Sequence, residues 1–568
     1  MFEISYVKNK KSALPTTLAG ITKMQNYIPI YQKYFKLSEK NFNNINLNNR
    51  FHATEFLKKE NDNKWSCKVK SDTQEKKVST FLKYSPLVDP VKFLVGKYKN
   101  IPIDVLPSFK GNEGHKKIRD GNNSAYVDGF FAFLSSQVLN THRFIHGTDF
   151  YGSYLAIKNE FKYNIIDDLE YLHDSDFFRT NKLGTFKLED SYEDFLEELQ
   201  TRHYRKPLKI TGSVKSIQAE KLDNTIFKDL FKKNMDISSN CDTSKNLIYS
   251  FDVSHNTSQT SPKSNRSSAS TKSSACSSRS SHTSHGSESS CDSSGSDYSD
   301  DSSQSIGSNS MSTASDDCVN ATLFNFPVQI ICLEALEGTL DSIMPDLSME
   351  EWRACLFQVI IMLLVYQKLF DFTHNDLHTN NIMYKNTDAK FLFYYYNGKY
   401  YKVPTFGKIY KIIDFGRAIY KFKGNVMCSD SFHPKGDAAT QYNCEPYLNP
   451  DKPRLEPNKS FDLCRLGCSL FDFFFNEPLD QIEKVVDPIA QLINKWCKDD
   501  KGRNILYKMN GDERYPEFKL YKMIARHVHH CPPEKEIENS MFNKYISSAG
   551  KVKKKRVFNI DKLPIYIK

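Results

Sequence analysis

Residues 374–416 contain carboxylate and amide side chains at a spacing suited to chemistry on phosphates. His374, Asp376 and Asn381 form the pattern H-x-D-x-x-x-x-N, and Asp414 opens the sequence DFG after a hydrophobic segment. Transfer of a phosphoryl group needs a carboxylate that orients the attacking hydroxyl and oxygen ligands that hold Mg²⁺ against the phosphates. Asp376 has the chemistry for the first task, and Asn381 and Asp414 have it for the second.

The segments around this pattern predict the elements that must hold it. Residues 328–333 are an apolar strand that turns polar at its end. Ser348 and Glu351 form a capping box, and the apolar periodicity that follows predicts a long buried helix reaching about Phe370. The segment FDLCRLGCSLF comes after DFG, at 461–471. Each piece is a weak signal alone, but their order resembles the C-lobe of a protein kinase, which disfavours a chance match in an unrelated α/β fold.

Resemblance to the protein-kinase superfamily implies roles for further residues. The backbone of Glu334 and Leu336 would form the hinge that hydrogen-bonds adenine, and Leu333 would be the gatekeeper before it. Gly416, in DFG, is implied to bind nucleotide together with the aspartate before it. Asp462 would hold the catalytic loop from a central helix. The resemblance implies ATP and Mg²⁺ as cofactors and a protein hydroxyl as the acceptor.

The first part of the chain predicts a β-rich lobe. Residues 51–57, 65–70 and 78–85 predict three strands joined by short polar segments. This arrangement places Lys83 on the third strand, where the kinase resemblance implies a lysine that contacts the ATP phosphates. Residues 124–139 predict the helix that follows, with apolar side chains along one face.

A second lysine matches the kinase motif by its letters. Lys158 ends the sequence LAIK, but Gly152 lies only six residues before it, too close for a phosphate loop and two strands to fit between them. We therefore favour Lys83 and expect Lys158 near the solvent end of a strand. The helix offers Asp128 as the ion-pair partner of Lys83, a shorter side chain than the glutamate usual in kinases. Were Lys158 the phosphate lysine, Glu170 would be its partner.

Three departures from the kinase pattern keep other functions open. Asn375 stands where many kinases have an arginine, so we do not expect activation-loop phosphorylation to be the switch. His378 replaces the usual catalytic-loop lysine, and H-x-D-L-H-x-x-N also resembles small-molecule kinases that act on choline or aminoglycosides. The phosphate loop at 58–64 lacks glycine, which favours a noncatalytic pseudokinase scaffold. The leading prediction is an ATP- and Mg²⁺-dependent serine/threonine protein kinase, with these two functions as alternatives.

Composition restricts the class of protein further. The 568 residues exceed one core, and an excess of 78 basic over 68 acidic residues is too small to indicate a nucleic-acid binder. Thirteen cysteines without a C-x-x-C pair indicate reduced thiols. The apolar run at 357–366 is half the length needed to cross a bilayer, and the first residues do not resemble a secretory signal. We therefore expect a cytoplasmic protein that binds neither membrane nor nucleic acid; its oligomeric state is left open.

One compositional break divides the chain. Residues 254–316 contain 28 serines in 63 positions and almost no large apolar side chains, which predicts disorder. The aromatic-rich composition, the segment KYSPLVDP and this insertion also resemble serine/threonine kinases of giant DNA viruses, which implies a location in the host cytoplasm or the virion.

The sequence predicts an α+β, bilobal protein-kinase-like fold with a β-rich N-lobe and a helical C-lobe. Its parts are an N-terminal extension (1–50), the first part of the N-lobe (51–253), the disordered Ser-rich insertion (254–316), the hinge strand and hinge (317–337), the C-lobe (338–545) and a basic C-terminal tail (546–568).

Overall fold

The protein mixes α-helices and β-strands, as the sequence predicts. This computed structural model describes residues 2–8, 18–181, 184–189, 192, 319–476, 478–548 and 556–568. The predicted disordered insertion at 254–316 lies outside the described residues, and so does the basic run at 551–555.

The strands and helices are numbered in chain order. The strands are β1 (Tyr6–Lys8), β2 (Ile21–Gln25), β3 (Ile45–Leu47), β4 (His52–Lys59), β5 (Lys64–Lys70), β6 (Glu75–Pro86), β7 (Phe150–Asn164), β8 (Phe186–Leu188), β9 (Asn320–Glu334), β10 (Gly338–Thr339), β11 (Ile382–Asn386), β12 (Phe391–Tyr396), β13 (Lys399–Pro404), β14 (Lys408–Ile412), β15 (Ile419–Phe422), β16 (Asn425–Cys428), β17 (Ile546–Ser547) and β18 (Phe558–Asn559). The helices are α1 (Pro90–Leu94), α2 (Lys116–Arg119), α3 (Ser124–His142), α4 (Leu169–His173), α5 (Asp176–Thr180), α6 (Leu340–Ile343), α7 (Met349–Phe370), α8 (Phe461–Phe474), α9 (Leu479–Ile482), α10 (Pro488–Trp496), α11 (Lys519–His527) and α12 (Pro533–Glu536).

The largest sheet is a curled antiparallel sheet with the strand order β2-β7-β9-β6-β5-β4, and β8 also pairs with β9. The three strands predicted in the first part of the chain are confirmed as β4, β5 and β6. Lys83 of β6 lies opposite Ile331 of β9, and Phe81 lies opposite Leu333. Because side chains alternate between the faces of a strand, Lys83, Ile331 and Leu333 share one face of the sheet.

Helix α3 covers this face, and the prediction of a helix after the third strand is confirmed. Asn123 caps its first turn by accepting a hydrogen bond from the Ala125 amide, and its side chains from Ala125 to Val138 are buried. At Gly129 a Cβ atom would collide with the side-chain nitrogen of Gln329 on β9. Any larger residue would have to displace the Gln329 side chain, so glycine favours this close approach of the helix to the sheet.

Two long helices form the core of the second half of the chain. Both halves of the capping box predicted at Ser348 and Glu351 are present, and α7 ends at Phe370 as expected. Helix α7 is long and apolar enough to cross a bilayer, yet 89% of its most apolar window is buried inside the protein. Burial against neighbouring elements accounts for its composition without a membrane. Helix α8 contacts it through the rings of Phe473 and Phe474, which pack against Trp352, and most of its side chains are buried.

A hairpin lengthens the chain between the two functional motifs. Strands β12 and β13 are joined by Asn397 and Gly398, both with positive φ, and an Asn-Gly pair is typical of such a tight turn. Strands β17 and β18 complete this four-stranded sheet. The last residues pack back onto the protein, because the Tyr566 amide donates to the Leu369 carbonyl at the end of α7. Residues 556–568 are thus part of the folded body.

Candidate functional site

The loop that contains Asp376 is fixed by the start of helix α8. Asp462, fully buried, accepts hydrogen bonds from the backbone amides of His374 and Asn375, each at 2.9 Å. This is the contact that the kinase resemblance implied for Asp462. His374 Nε2 also lies 2.9 Å from the Ile413 carbonyl, just before the DFG sequence. The loop and the DFG segment are therefore held against each other.

Asp376 is a buried carboxylate surrounded by cationic groups. It is 2% exposed, and its Oδ1 accepts a hydrogen bond from the Tyr521 hydroxyl at 2.8 Å. Burial by itself would raise its pKa, but Arg417, His378 and Arg465 act in the opposite direction and lower the pKa of Asp376 to about 2. Asp376 is therefore ionised at neutral pH and able to accept a hydrogen bond from a hydroxyl.

Asn381 lies next to both Asp376 and Asp414. Its side-chain nitrogen donates to the Asp376 carbonyl at 2.9 Å, and its backbone carbonyl accepts from the Ile413 amide at 3.0 Å. Because the side-chain nitrogen of Asn381 donates this hydrogen bond, its Oδ1 is the side-chain atom that could bind a metal ion. The structure thus brings three of the predicted site residues to one place.

Lys83 completes the same cluster from the sheet. Its Nζ lies 2.7 Å from Asp128 Oδ2 and 2.9 Å from Asp414 Oδ1, and all three side chains are largely buried. Burial opposes ionisation of each group. The two carboxylates nevertheless raise the pKa of Lys83, and Lys83 lowers that of Asp414, whereas burial raises the pKa of Asp128. Lys83 is therefore a cation held at the DFG aspartate.

Asp128 also holds the backbone of the DFG segment. Its Oδ1 accepts a hydrogen bond from the Phe415 amide at 2.8 Å, so that the carboxylate bridges Lys83 and this segment. The Phe415 ring lies 4.6 Å from the Phe131 ring of α3, between centroids. The Gly416 amide lies 3.4 Å from Asp414 Oδ1, at the outer edge of hydrogen-bonding distance. Helix α3 thus fixes the place of the DFG segment.

Of the predicted hinge residues, Glu334 is the last residue of β9 and Leu336 follows the strand. The Glu334 carboxylate is buried and pairs with Lys411 and Lys385, on β14 and β11. These two lysines outweigh the effect of burial and lower the pKa of Glu334. Among the residues that the structure describes, none hydrogen-bonds the amide of Leu336. The kinase resemblance implied only backbone roles for these two residues, and the pairing of the Glu334 side chain was not foreseen.

Lys158 lies apart from the cluster that contains Lys83, but it does not lie near the solvent end of its strand. It occupies the middle of β7, opposite Phe326, and is only partly exposed. Its Nζ stacks on the Tyr84 ring, 4.2 Å from the centroid. The expectation that it lies near the solvent end of a strand was wrong, because β7 extends to Asn164 and pairs with β9 along its full length.

The glycine-free loop is a tight turn between β4 and β5. Asn61 Oδ1 accepts from the amides of Asn63 and Lys64, and the Glu60 amide donates to the Lys64 carbonyl. Lys59 pairs with Asp62 at 2.6 Å, while Lys64 lies 3.7 Å from Glu60. Acidic neighbours therefore offset the charge of Lys59 and Lys64 in this turn.

The segment after DFG is anchored to the start of helix α3 by a carboxylate. Asp430 accepts from the Ser124 amide at 3.0 Å and pairs with Lys117, while its own amide donates to the Asn122 carbonyl at 2.7 Å. Asn375, at the position where many kinases have arginine, accepts from the Tyr442 hydroxyl at 2.7 Å. Both contacts join residues that are far apart in the sequence. No local pattern of residues predicts them.

The donor set suits a metal ion that is shared with phosphates. In the described part of the chain, no group of three or more His, Cys, Asp or Glu side chains is placed to hold a metal alone. Mg²⁺ usually takes one or two protein oxygens and completes its shell with phosphates and water, and Asp414 and Asn381 fit that pattern. No protein-family model matches the chain, and no curated protein matches its sequence.

Proposed function

We propose that the chain is an ATP- and Mg²⁺-dependent serine/threonine protein kinase with a bilobal protein-kinase-like fold. The observation that carries this proposal is the Lys83 ion pair with Asp128 and Asp414, assembled beside Asp376 and Asn381. A lysine on a sheet, a helix carboxylate and a DFG aspartate in contact are the parts that phosphoryl transfer requires in an active kinase. The sheet with α3 would be the N-lobe, and α7 with α8 would lie in the C-lobe.

The residues of the cluster would divide the work of transfer. Asp376 would accept a hydrogen bond from the acceptor hydroxyl and hold its proton as the oxygen attacks. Lys83 would contact the α- and β-phosphates, and the backbone of Glu334 and Leu336 would receive adenine. Mg²⁺, when bound, would neutralise charge on the phosphates, and Asp414 and Asn381 are the residues that would hold it.

One observation favours a noncatalytic scaffold as the second candidate. The turn between β4 and β5 has no glycine to let its backbone approach phosphates, and Lys59 is paired with Asp62. The buried ion pair of Lys83 argues against the scaffold, because removing these charges from water costs free energy of folding, which a role in nucleotide binding would explain. His378 keeps a small-molecule acceptor as a third candidate, because it occupies the position of the usual catalytic-loop lysine.

The metal dependence of nucleotide binding tests this proposal against the scaffold. We expect ATP with Mg²⁺ to raise the melting temperature of the full chain much more than ATP with EDTA, because a ligand that binds only the folded state stabilises it. Asp414→Asn should remove most of the Mg²⁺-dependent part. Equal shifts with Mg²⁺ and with EDTA in the wild-type protein would contradict the proposal and favour the scaffold.

A further inference from the structure

The hydroxyl of Tyr521 lies between Asp376 and a buried arginine. It donates to Asp376 Oδ1 at 2.8 Å and accepts from Arg465 Nε at 2.9 Å. We infer that Tyr521 is a positioning residue for transfer, fixing one oxygen of Asp376 so that the other is left for the acceptor hydroxyl. This inference rests on the proposed function and adds to it a residue that the kinase pattern in the sequence does not contain.

The packing of Tyr521 holds its hydroxyl in one place. The residue lies on α11, is 3% exposed, and its ring stacks on Phe518 with centroids 5.1 Å apart. The guanidinium carbon of Arg465 lies 5.1 Å from the centroid of the same ring. A ring enclosed by an aromatic neighbour and a cation has little freedom to rotate away. Its hydroxyl is therefore a fixed donor to Asp376.

Helix α8 holds both the backbone and a side chain of the loop that contains Asp376. Asp462 binds the backbone amides of His374 and Asn375, and Arg465, one turn later, reaches the Asp376 carboxylate through the Tyr521 hydroxyl. The first contact fixes the path of the backbone, and the second fixes the side chain that performs the chemistry. Correct placement of a catalytic group lowers the barrier, and a misplacement of about 1 Å can cost about a hundredfold in rate.

The hydrogen-bond pattern also distinguishes positioning from blocking. A tyrosine hydroxyl that donates to the candidate base makes the same hydrogen bond as the hydroxyl of a substrate would. Such a group would inhibit transfer if it merely occupied the place of that substrate hydroxyl. The Tyr521 hydroxyl, however, is hydrogen-bonded on both sides, because it accepts from Arg465 Nε and donates to Asp376 Oδ1. A buried hydroxyl satisfied in this way belongs to the permanent structure. The two roles predict opposite effects of removing the hydroxyl.

The test uses Tyr521→Phe in the full-length protein, with ATP, Mg²⁺ and a generic protein substrate. We expect kcat to fall by about tenfold to a hundredfold, with KM for ATP unchanged, because the hydroxyl orients the base and does not touch nucleotide. Tyr507→Phe is the matched control, since it removes a similar hydrogen bond to Asp472, also on α8, and should leave kcat unchanged. In an Asp376→Asn background, Tyr521→Phe should cause no further loss.

The outcomes separate this inference from the proposed function. Unchanged or increased turnover of Tyr521→Phe beside an active wild type would overturn the role of Tyr521 alone. A wild type that transfers no phosphate would overturn the proposed function, and this inference with it. If Tyr521→Phe does not fold, Arg465→Lys serves in its place, because it keeps a buried cation and removes the Nε donor. That variant should also lose kcat with KM unchanged, and full turnover would overturn the inference.

Discussion

Asp376→Asn is expected to abolish phosphoryl transfer while nucleotide binding persists. The side chain is a buried carboxylate with a pKa lowered to about 2, and asparagine of the same shape can neither accept the proton nor carry the charge. The residue orients the acceptor and does not hold ATP, so the loss should appear in kcat. Turnover with a labelled γ-phosphate, alongside ATP-dependent melting, measures both effects.

The size of the loss decides the role of Asp376. A variant that keeps more than about a tenth of wild-type turnover has lost only about 1.4 kcal/mol of barrier lowering, too little for a catalytic base. Asp462→Asn is not a suitable control, because Asp462 holds the loop itself. Asp472→Asn is suitable, since Asp472 lies on the same helix, bonds Tyr507 and does not touch the loop.

Lys83→Met is expected to reduce turnover at least about a hundredfold, because it removes a fixed cation from the phosphates in the transition state. It also leaves the carboxylates of Asp128 and Asp414 buried without their shared cation, which is destabilising. Lys83→Arg keeps the charge and should preserve the fold better, but its planar head has a different geometry, so activity should stay low. Melting temperatures separate loss of fold from loss of chemistry.

Lys158→Met is the matched control for this lysine. Lys158 lies on β7 of the same sheet, and the variant removes its contact with the Tyr84 ring, which is worth about 0.5–1 kcal/mol at exposed sites. Its turnover should match that of the wild type at saturating ATP. An inactive Lys158 variant beside an active Lys83 variant would reverse the assignment of the phosphate lysine.

Local patterns predicted the elements and the residues carried by them. Three strand segments joined by short polar segments indicated β4 to β6, and with them the place of Lys83, while the capping box indicated the start of α7. Asp128, shorter than the glutamate usual in kinases, was a departure from the kinase pattern. In the fold Gly129 lets α3 approach β9 closely, and Asp128 then reaches Lys83.

Contacts between distant parts of the chain could not be predicted in the same way. Tyr521 is 145 residues from Asp376, and Asp430 is 306 residues from Ser124. No spacing rule connects such positions, because their meeting depends on how α11 and the segment after DFG pack. The pairing of Glu334 with Lys411 and Lys385 has the same origin. Sequence patterns therefore identified the candidate reacting groups, and packing identified the residues that hold them.

Transfer of label from γ-labelled ATP to a protein tests the central claim most directly. The purified full-length chain would be incubated with labelled ATP, Mg²⁺ and generic protein substrates, with Asp414→Asn and an EDTA sample in parallel. The proposed function predicts label on serine or threonine of the substrate with the wild type and Mg²⁺, and little or none in the other two samples. No transfer by a wild-type protein that binds ATP and Mg²⁺, or equal labelling by Asp414→Asn, would contradict it.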